Sequence, residues 1–364
     1  MRILQVSNSL ATGGAEKLII DYTPKIVEKG VEMDVLVLNG DKHPFLEKLE
    51  KTGCCKIFSL TSKSVYNPFL VFKLIPFLKK YDLIHVHLFP ALYWVSIAKL
   101  ISFSKTKIVY TEHSTYNRRR GNWLFSFLDR IVYHQYQKII VVSEQVKASL
   151  QDHLPLKSTR FEIIPNGIAI DSLKNVPPHR RADFNLNNDD NLIIQVSRFS
   201  KQKNQTLLIK AIPHMKTPVR LLFVGDGKYI EDSKALVKKL HMEDQVLFLG
   251  VRMDVDRLLK MSDVFVLSSH YEGLSISSLE AMASGIPVIA SDVPGLNDLV
   301  KGYGILFPKG DEKLLALEID RLFEDSEYYR KTAQSCMDRA EQFSITNTIQ
   351  KHYNLYREIC LNPS

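Results

Sequence analysis

The sequence predicts an α/β protein built from two doubly wound domains, and three observations carry that prediction. The chain has 364 residues, more than one hydrophobic core usually supports. Short β-branched runs alternate with helical patterns from end to end. Most of those runs are continuously apolar, as strands of a parallel sheet covered on both faces are. The alternation breaks once, between Asn166 and Asp190, where Asn166-Gly167, Pro177-Pro178 and a polar run at 185–191 intervene, and then resumes.

Taken in order, the expected strands of the first half are 3–6, 35–38, 83–86, 108–110, 139–142 and 162–164. Those of the second half are 192–196, 220–224, 246–249, 264–267, 287–290 and 305–306. The domains are read as 1–170 and 171–344, with a last helix at about 345–364 packing back on the first domain.

Composition narrows the class. An apolar fraction of 45% and a charged fraction of 24% are those of an ordinary soluble protein. Cys54, Cys55, Cys336 and Cys360 have no metal-ligand spacing, so reduced thiols are expected. The apolar run after Met1-Arg2 ends at Val6, unlike a secretory signal. The longest uncharged run, 83–98, is interrupted by His85, His87 and Pro90 and is too short to span a bilayer. A cytoplasmic protein is therefore expected. Residues 1–170 hold 23 Lys/Arg against 14 Asp/Glu, a balance of +9, and the remaining 25 against 26 give −1. The excess positive charge of the first half suits an anionic membrane, an anionic acceptor or nucleic acid; a basic surface serving solubility is the plainer reading.

Ligands of open α/β sheets collect at the carboxyl ends of strands, and several unusual groups stand there. Thr12-Gly13-Gly14-Ala15-Glu16 follows the first strand and opens a helix, where paired glycines permit close backbone approach and free N–H groups meet an anion. A simple tight turn is the other reading. The segment from Ser197 to Asn204 brings Arg198, Lys201 and Lys203 to the start of the next helix, where the macrodipole disfavours cations. A diphosphate gripped by Arg198 and Lys203 would reverse that cost, whereas a solvated basic loop would not need one. Val224-Gly225-Asp226-Gly227 lacks the third glycine of a dinucleotide fingerprint and reads as a structural turn. Asp254-Val255-Asp256 has the spacing of a metal motif, but Asp is an ordinary first-turn residue of the helix that begins there. His113, in Thr111-Glu112-His113, follows a strand and faces either a crevice or the core.

The most unusual charge is Glu280. It is the only charged residue from Leu274 to Ser291, on a short helix expected to end at Gly285. Its helix neighbours at three and four positions are Ile276, Ser277, Ala283 and Ser284, none of them basic. A second carboxylate, Glu272, stands eight residues earlier in a turn. Ser275 or its neighbour begins the helix, so the first N–H groups can meet a phosphate while Glu280, more than one turn in, suits ribose hydroxyls.

Together these residues resemble the retaining glycosyltransferase family 4, which has the GT-B fold: two Rossmann-like doubly wound domains facing across a cleft. The resemblance runs through Thr12–Glu16, Asp82-Leu83-Ile84-His85-Val86-His87, Thr111-Glu112-His113, Val142-Ser143-Glu144, Ile164-Pro165-Asn166-Gly167-Ile168, Arg198 with Lys203, and Val224–Gly227. It continues through Glu272-Gly273-Leu274, Glu280-Ala281-Met282-Ala283 and Gly285-Ile286-Pro287-Val288, covering nearly the whole chain. Ser277-Ser278 depart from it, standing where the family often has bulkier apolar residues.

The resemblance implies transfer of a sugar from a nucleotide donor, a UDP-sugar being the commoner choice, to an acceptor hydroxyl with retained configuration. No metal or other cofactor is implied. Arg198 and Lys203 would stabilise the departing diphosphate, which Gly13 and Gly14 would approach. Glu280 would hold the ribose and Glu272 the sugar. The backbone of Gly273, Leu274 and Ser275 would cap the diphosphate, main chain at Val251 and Arg252 would meet the base, and His113 would lie beside the sugar.

Two apolar and basic segments of the first half, 69–80 and 118–128, suit a lipid-linked saccharide acceptor or an anionic membrane at the inner face of the cell membrane. Arg118, Arg119, Arg120 and Trp123 lead the second; a core-facing helix after a solvated loop is the alternative. Two other functions compete: a sugar-nucleotide epimerase on the same fold, and a basic nucleic-acid-binding protein. The latter lacks a recognition module, so no nucleic acid partner is expected.

Overall fold

The computed structural model describes residues 1–116 and 122–361, which divide into two compact units. The first comprises residues 1–167 with the helix Ile345–Leu361; the second comprises residues 168–344. The change of unit at 167/168 lies three residues before the boundary read from the sequence.

The first unit holds seven strands, β1 (Arg2–Ser7), β2 (Glu32–Asn39), β3 (Ile57–Thr61), β4 (Leu83–His87), β5 (Lys107–Glu112), β6 (Lys138–Val141) and β7 (Phe161–Ile163), in the order β3-β2-β1-β4-β5-β6-β7. The second holds six, β8 (Asn191–Val196), β9 (Val219–Val224), β10 (Val246–Phe248), β11 (Val264–Leu267), β12 (Val288–Ser291) and β13 (Ile305–Phe307), in the order β10-β9-β8-β11-β12-β13. Every pairing in both sheets is parallel. Each is a doubly wound sheet whose order reverses between its first and fourth strands, β1/β4 and β8/β11. Ligands bind at such a reversal.

One strand escaped the sequence reading. β3 pairs only with β2 at the sheet edge and is half-buried, and Ser59 interrupts its apolar residues. A search for continuously buried runs passes over such a strand.

The second unit shows why its strands are apolar throughout. Leu192, Ile194, Phe265 and Leu267 point to one core, and Ile193, Val264 and Val266 point to the other. The first core also takes Ile276, Leu279, Met282 and Ala283 from the helix Ile276–Ala283. That helix is seated by burial: truncating the fully buried Leu279 to Ala would cost about 2–5 kcal/mol. Ser275 caps its start, its hydroxyl accepting from the N–H of Ser278, and Gly285 follows its end at φ 83°. Among the described residues, no helix is long and apolar enough to cross a membrane.

Candidate active site

In the second unit the loops after β8 and β11 are stitched together at the sheet reversal. His270 N–H donates to Gln202 O at 2.7 Å, and Gln202 Nε2 donates to Tyr271 O at 2.9 Å. Ser268 Oγ donates to Asn204 O at 2.9 Å, and Gln195 Nε2 reaches Lys203 O from β8 itself. These bonds bring Lys203 Nζ to 2.6 Å from Glu272 Oε1, with both side chains largely out of solvent.

Neighbouring turns hold this pair in place. Glu272 N–H donates to Pro294 O, and Gly295 passes so close that a Cβ there would lie 2.4 Å from Glu272 O. The turn after β9 does the same for the basic loop. Phe199 N–H donates to Asp226 O, and a Cβ on Gly225 would lie 2.2 Å from Ser197 O. The Gly225-Asp226-Gly227 segment is thus a structural turn whose role is close packing under the loop that carries Arg198.

Arg198 is exposed, while Glu280 is 8% exposed on its capped helix. Gly273 and Ser275 are buried beside the start of that helix, with Leu274 half-buried between them. Val251 is exposed, and Gly250, one position earlier, accepts from Gly225 N–H at 2.8 Å. The Arg252 side chain is committed elsewhere, donating to Asp254 at 2.6 Å and 2.8 Å. His179 also meets Asp254, at 2.8 Å, and the Arg252 bond leads in holding this carboxyl down at about 2. Asp254 therefore belongs to an ion-paired helix start, and among the described residues no cluster of three or more His, Cys, Asp or Glu is placed to hold a metal.

In the first unit the loops after β1 and β4 are tied by Asn8, whose Nδ2 donates to Phe89 O at 2.7 Å and whose Oδ1 accepts from Ala91 N–H at 3.2 Å. Gly13 precedes the helix Gly14–Val27, and the buried Glu16 carboxylate lies where a Cβ on Gly13 would fall. A glutamate at this third helical position is a usual partner for the helix start. His113, just past β5, has Nε2 at 3.2 Å from His87 Nδ1. Burial pushes the His113 imidazole down to about 3, so it is neutral at ordinary pH.

Of the residues expected to face an acceptor or membrane, Trp123 opens the helix Trp123–His134 and is 81% exposed; Arg118, Arg119 and Arg120 lie outside the described residues. Asp129, Val132 and Tyr133 of that helix are buried, whereas Leu124, Phe127 and Ile131 join Trp123 outside. The helix Leu70–Leu78 behaves alike: Leu70, Val71, Leu74 and Leu78 face the core, and Phe72, with the preceding Phe69, is exposed. Both segments therefore combine a core-facing side with an apolar outer side.

Profiles of two families cover these units almost end to end. One described as Glycosyltransferase Family 4 matches residues 12–172, and one described as Glycosyl transferases group 1 matches residues 178–341. An uncharacterized glycosyltransferase of Methanocaldococcus jannaschii is 30% identical over 76% of this chain and 75% of its own. The chain belongs to glycosyltransferase family 4. This family 4 enzyme is also 28% identical, over 92% of its length and 93% of the relative's, to the N-acetylgalactosamine-N,N'-diacetylbacillosaminyl-diphospho-undecaprenol 4-alpha-N-acetylgalactosaminyltransferase of Campylobacter jejuni. Its fold is GT-B. Anabaena HepE, solved in complex with UDP and glucose, superposes with a TM-score of 0.86 at 22% identity, covering 98% of this chain and all of that one (100%).

What sequence reasoning missed in the glycosyltransferase is pairing across distance. Lys203 and Glu272 were assigned to different parts of a ligand, and the structure puts them in contact. His87 entered only as part of a motif, and Gln5 not at all. A buried polar residue between Leu4 and Val6, Gln5 in β1, was the available signal.

Proposed function

We propose that this enzyme is a metal-independent, retaining glycosyltransferase. It takes a sugar from a uridine diphosphate donor and places it on a hydroxyl of a saccharide or lipid-linked saccharide acceptor, in the synthesis of a cell-surface polysaccharide or glycolipid. The observation that carries this reading is the Lys203–Glu272 pair at the β8/β11 reversal, with Glu280 buried on the next helix. A cation, a sugar-binding carboxylate and a ribose-binding carboxylate there match the three parts of a sugar nucleotide. The lipid-diphosphate saccharide named for the Campylobacter relative and the UDP held by HepE support the choice of acceptor and donor.

In this reading Arg198 and Lys203 stabilise negative charge developing on the diphosphate as the bond from the anomeric carbon to its oxygen breaks. Gly13 and Gly14 offer backbone N–H groups to the same phosphates. Gly273, Leu274 and Ser275 do likewise from the second unit. Glu280 accepts from ribose hydroxyls and Glu272 from the sugar, while main chain at Val251 and Arg252 meets the base. His113 accepts from a sugar hydroxyl. The acceptor hydroxyl attacks the face that the diphosphate leaves, its proton passing to the leaving oxygen, so configuration is kept.

The outer apolar faces around Phe69, Phe72, Trp123 and Phe127, in the half with nine excess positive charges, support peripheral binding to an anionic membrane at its cytoplasmic face. A panel of nucleotide sugars, with released nucleoside diphosphate as readout, tests the function. Release that depends on an acceptor supports transfer; interconversion of the donor alone supports an epimerase and overturns the proposal.

A further inference from the structure

His113 Nδ1 is buried and has no hydrogen-bond partner among the described residues. What this nitrogen can do depends on which ring nitrogen holds the proton, and the structure settles that through a chain of side chains in the first unit. His113 Nε2 lies 3.2 Å from His87 Nδ1, and His87 Nε2 lies 2.8 Å from Gln5 Oε1. Gln5 Nε2 donates to the Tyr356 hydroxyl at 3.2 Å and lies 3.8 Å from Met33 Sδ. Thioether sulfur accepts and cannot donate, so the amide nitrogen faces Met33 and the carbonyl oxygen faces His87.

The rest follows from donor and acceptor counting. A carbonyl carries no proton, so His87 Nε2 donates to Gln5. Burial pushes His87 well below its usual pKa, which keeps the ring neutral and leaves its Nδ1 bare. That bare nitrogen accepts from His113 Nε2–H, and the neutral His113 is left with a lone pair on Nδ1. The neighbouring bonds agree. Tyr356, accepting from Gln5, donates to His85 Nδ1 at 2.6 Å, and His85 Nε2 then donates to Thr111 Oγ1 at 2.6 Å. The opposite polarity would press the amide oxygen against the Met33 sulfur.

We propose that Gln5 and His87 are positioning residues that fix the proton of His113 on Nε2, so that Nδ1 presents a lone pair to a hydroxyl of the bound donor sugar. The proposal rests on the reading of His113 as a sugar-facing residue. It also narrows the donor: the sugar brings a hydroxyl to this nitrogen, and a carboxylate at that position is repelled. Tyr356, on the helix Ile345–Leu361, orients Gln5, which gives that helix a part in the polarity of the site.

Long-range proton–nitrogen NMR of the full chain labelled with ¹⁵N-histidine, with His113→Phe to assign the signal, tests the proposal without substrate. The expected result is a protonated Nε2 and a bare Nδ1 on both His113 and His87. A protonated His113 Nδ1, or an even mixture, overturns it. Gln5→Met, which keeps length but offers His87 only a weak thioether acceptor in place of the carbonyl, should mix the two tautomers. It should also lower kcat/KM for the donor about fivefold, the worth of one neutral hydrogen bond, without changing KM for the acceptor. An unchanged tautomer in a folded Gln5→Met protein also overturns it. Because the spectrum needs no turnover, failure of the donor panel and failure of this polarity are separate results.

Discussion

Lys203 Nζ lies 2.6 Å from Glu272 Oε1, joining the loop after β8 to the loop after β11 across the point where the sheet order reverses. The pair serves two purposes that substitution can separate. It closes the two loops on each other, and in the proposed function it sets a cation beside a carboxylate where the diphosphate and the sugar of a donor would meet.

Lys203→Met removes a close cation from a carboxylate that is 9% exposed, and should lower stability by about 2–4 kcal/mol. Lys203→Met with Glu272→Leu replaces the pair by apolar side chains and should recover most of that loss. Turnover should fall at least about tenfold, roughly 1.4 kcal/mol in the barrier, in both proteins. Urea unfolding and initial rates measure the two effects. A double variant that regains its rate together with its stability would show the pair to be structural only.

Stability should fall as the medium is acidified below about pH 6.5. Burial holds His85 and His87 well below the usual histidine range, His113 at about 3 and His352 at about 4. Above the unfolded value these rings are neutral in both states and add no slope. Below it the unfolded chain takes up protons that the folded chain refuses, and the loss continues until each folded value is reached. Each ring contributes up to about 1.4 kcal/mol per pH unit. Urea midpoints between pH 7 and pH 5 should therefore decline, and less steeply in His352→Phe. A flat profile would contradict the buried neutral assignment.

Transfer should proceed in a chelator. The one sequence candidate for a metal motif begins with Asp254, which is committed to Arg252 and His179, and in the proposed function Arg198 with Lys203 would supply the positive charge a metal brings. Rates within about twofold with and without EDTA are expected, because charge stabilisation then comes from side chains alone. Strict metal dependence would sink that assignment.

Sedimentation with vesicles addresses the outer apolar faces. Anionic vesicles should retain more protein than neutral ones. Trp123→Ser with Phe127→Ser, or Arg118–Arg120→Ala, should lower the bound fraction while leaving transfer to a water-soluble acceptor intact. No preference for anionic lipid would end the membrane proposal.

Much of the fold is legible because its signals are local. Ser275 and Gly285 bracket the Glu280 helix through capping and a left-handed turn, which act within a few residues. The alternating cores of β8 and β11 appear as apolar runs because both faces of each strand are covered. β3 was missed because an edge strand needs burial on neither face throughout. The site was legible only as an inventory of charges. That Lys203 meets Glu272, and that Gln5 bonds His87, depends on sheet order and on bonds between distant segments, which no local spacing encodes.

Glu280 gives the most direct test. Calorimetric titration with UDP and with 2′,3′-dideoxy-UDP, on the wild-type chain and on Glu280→Ala, asks whether this carboxylate holds a ribose. The wild type should prefer UDP at least about tenfold, about 1.4 kcal/mol, and Glu280→Ala should bind both nucleotides alike. A wild type that binds neither nucleotide, or a Glu280→Ala protein that keeps the full preference, would contradict the account.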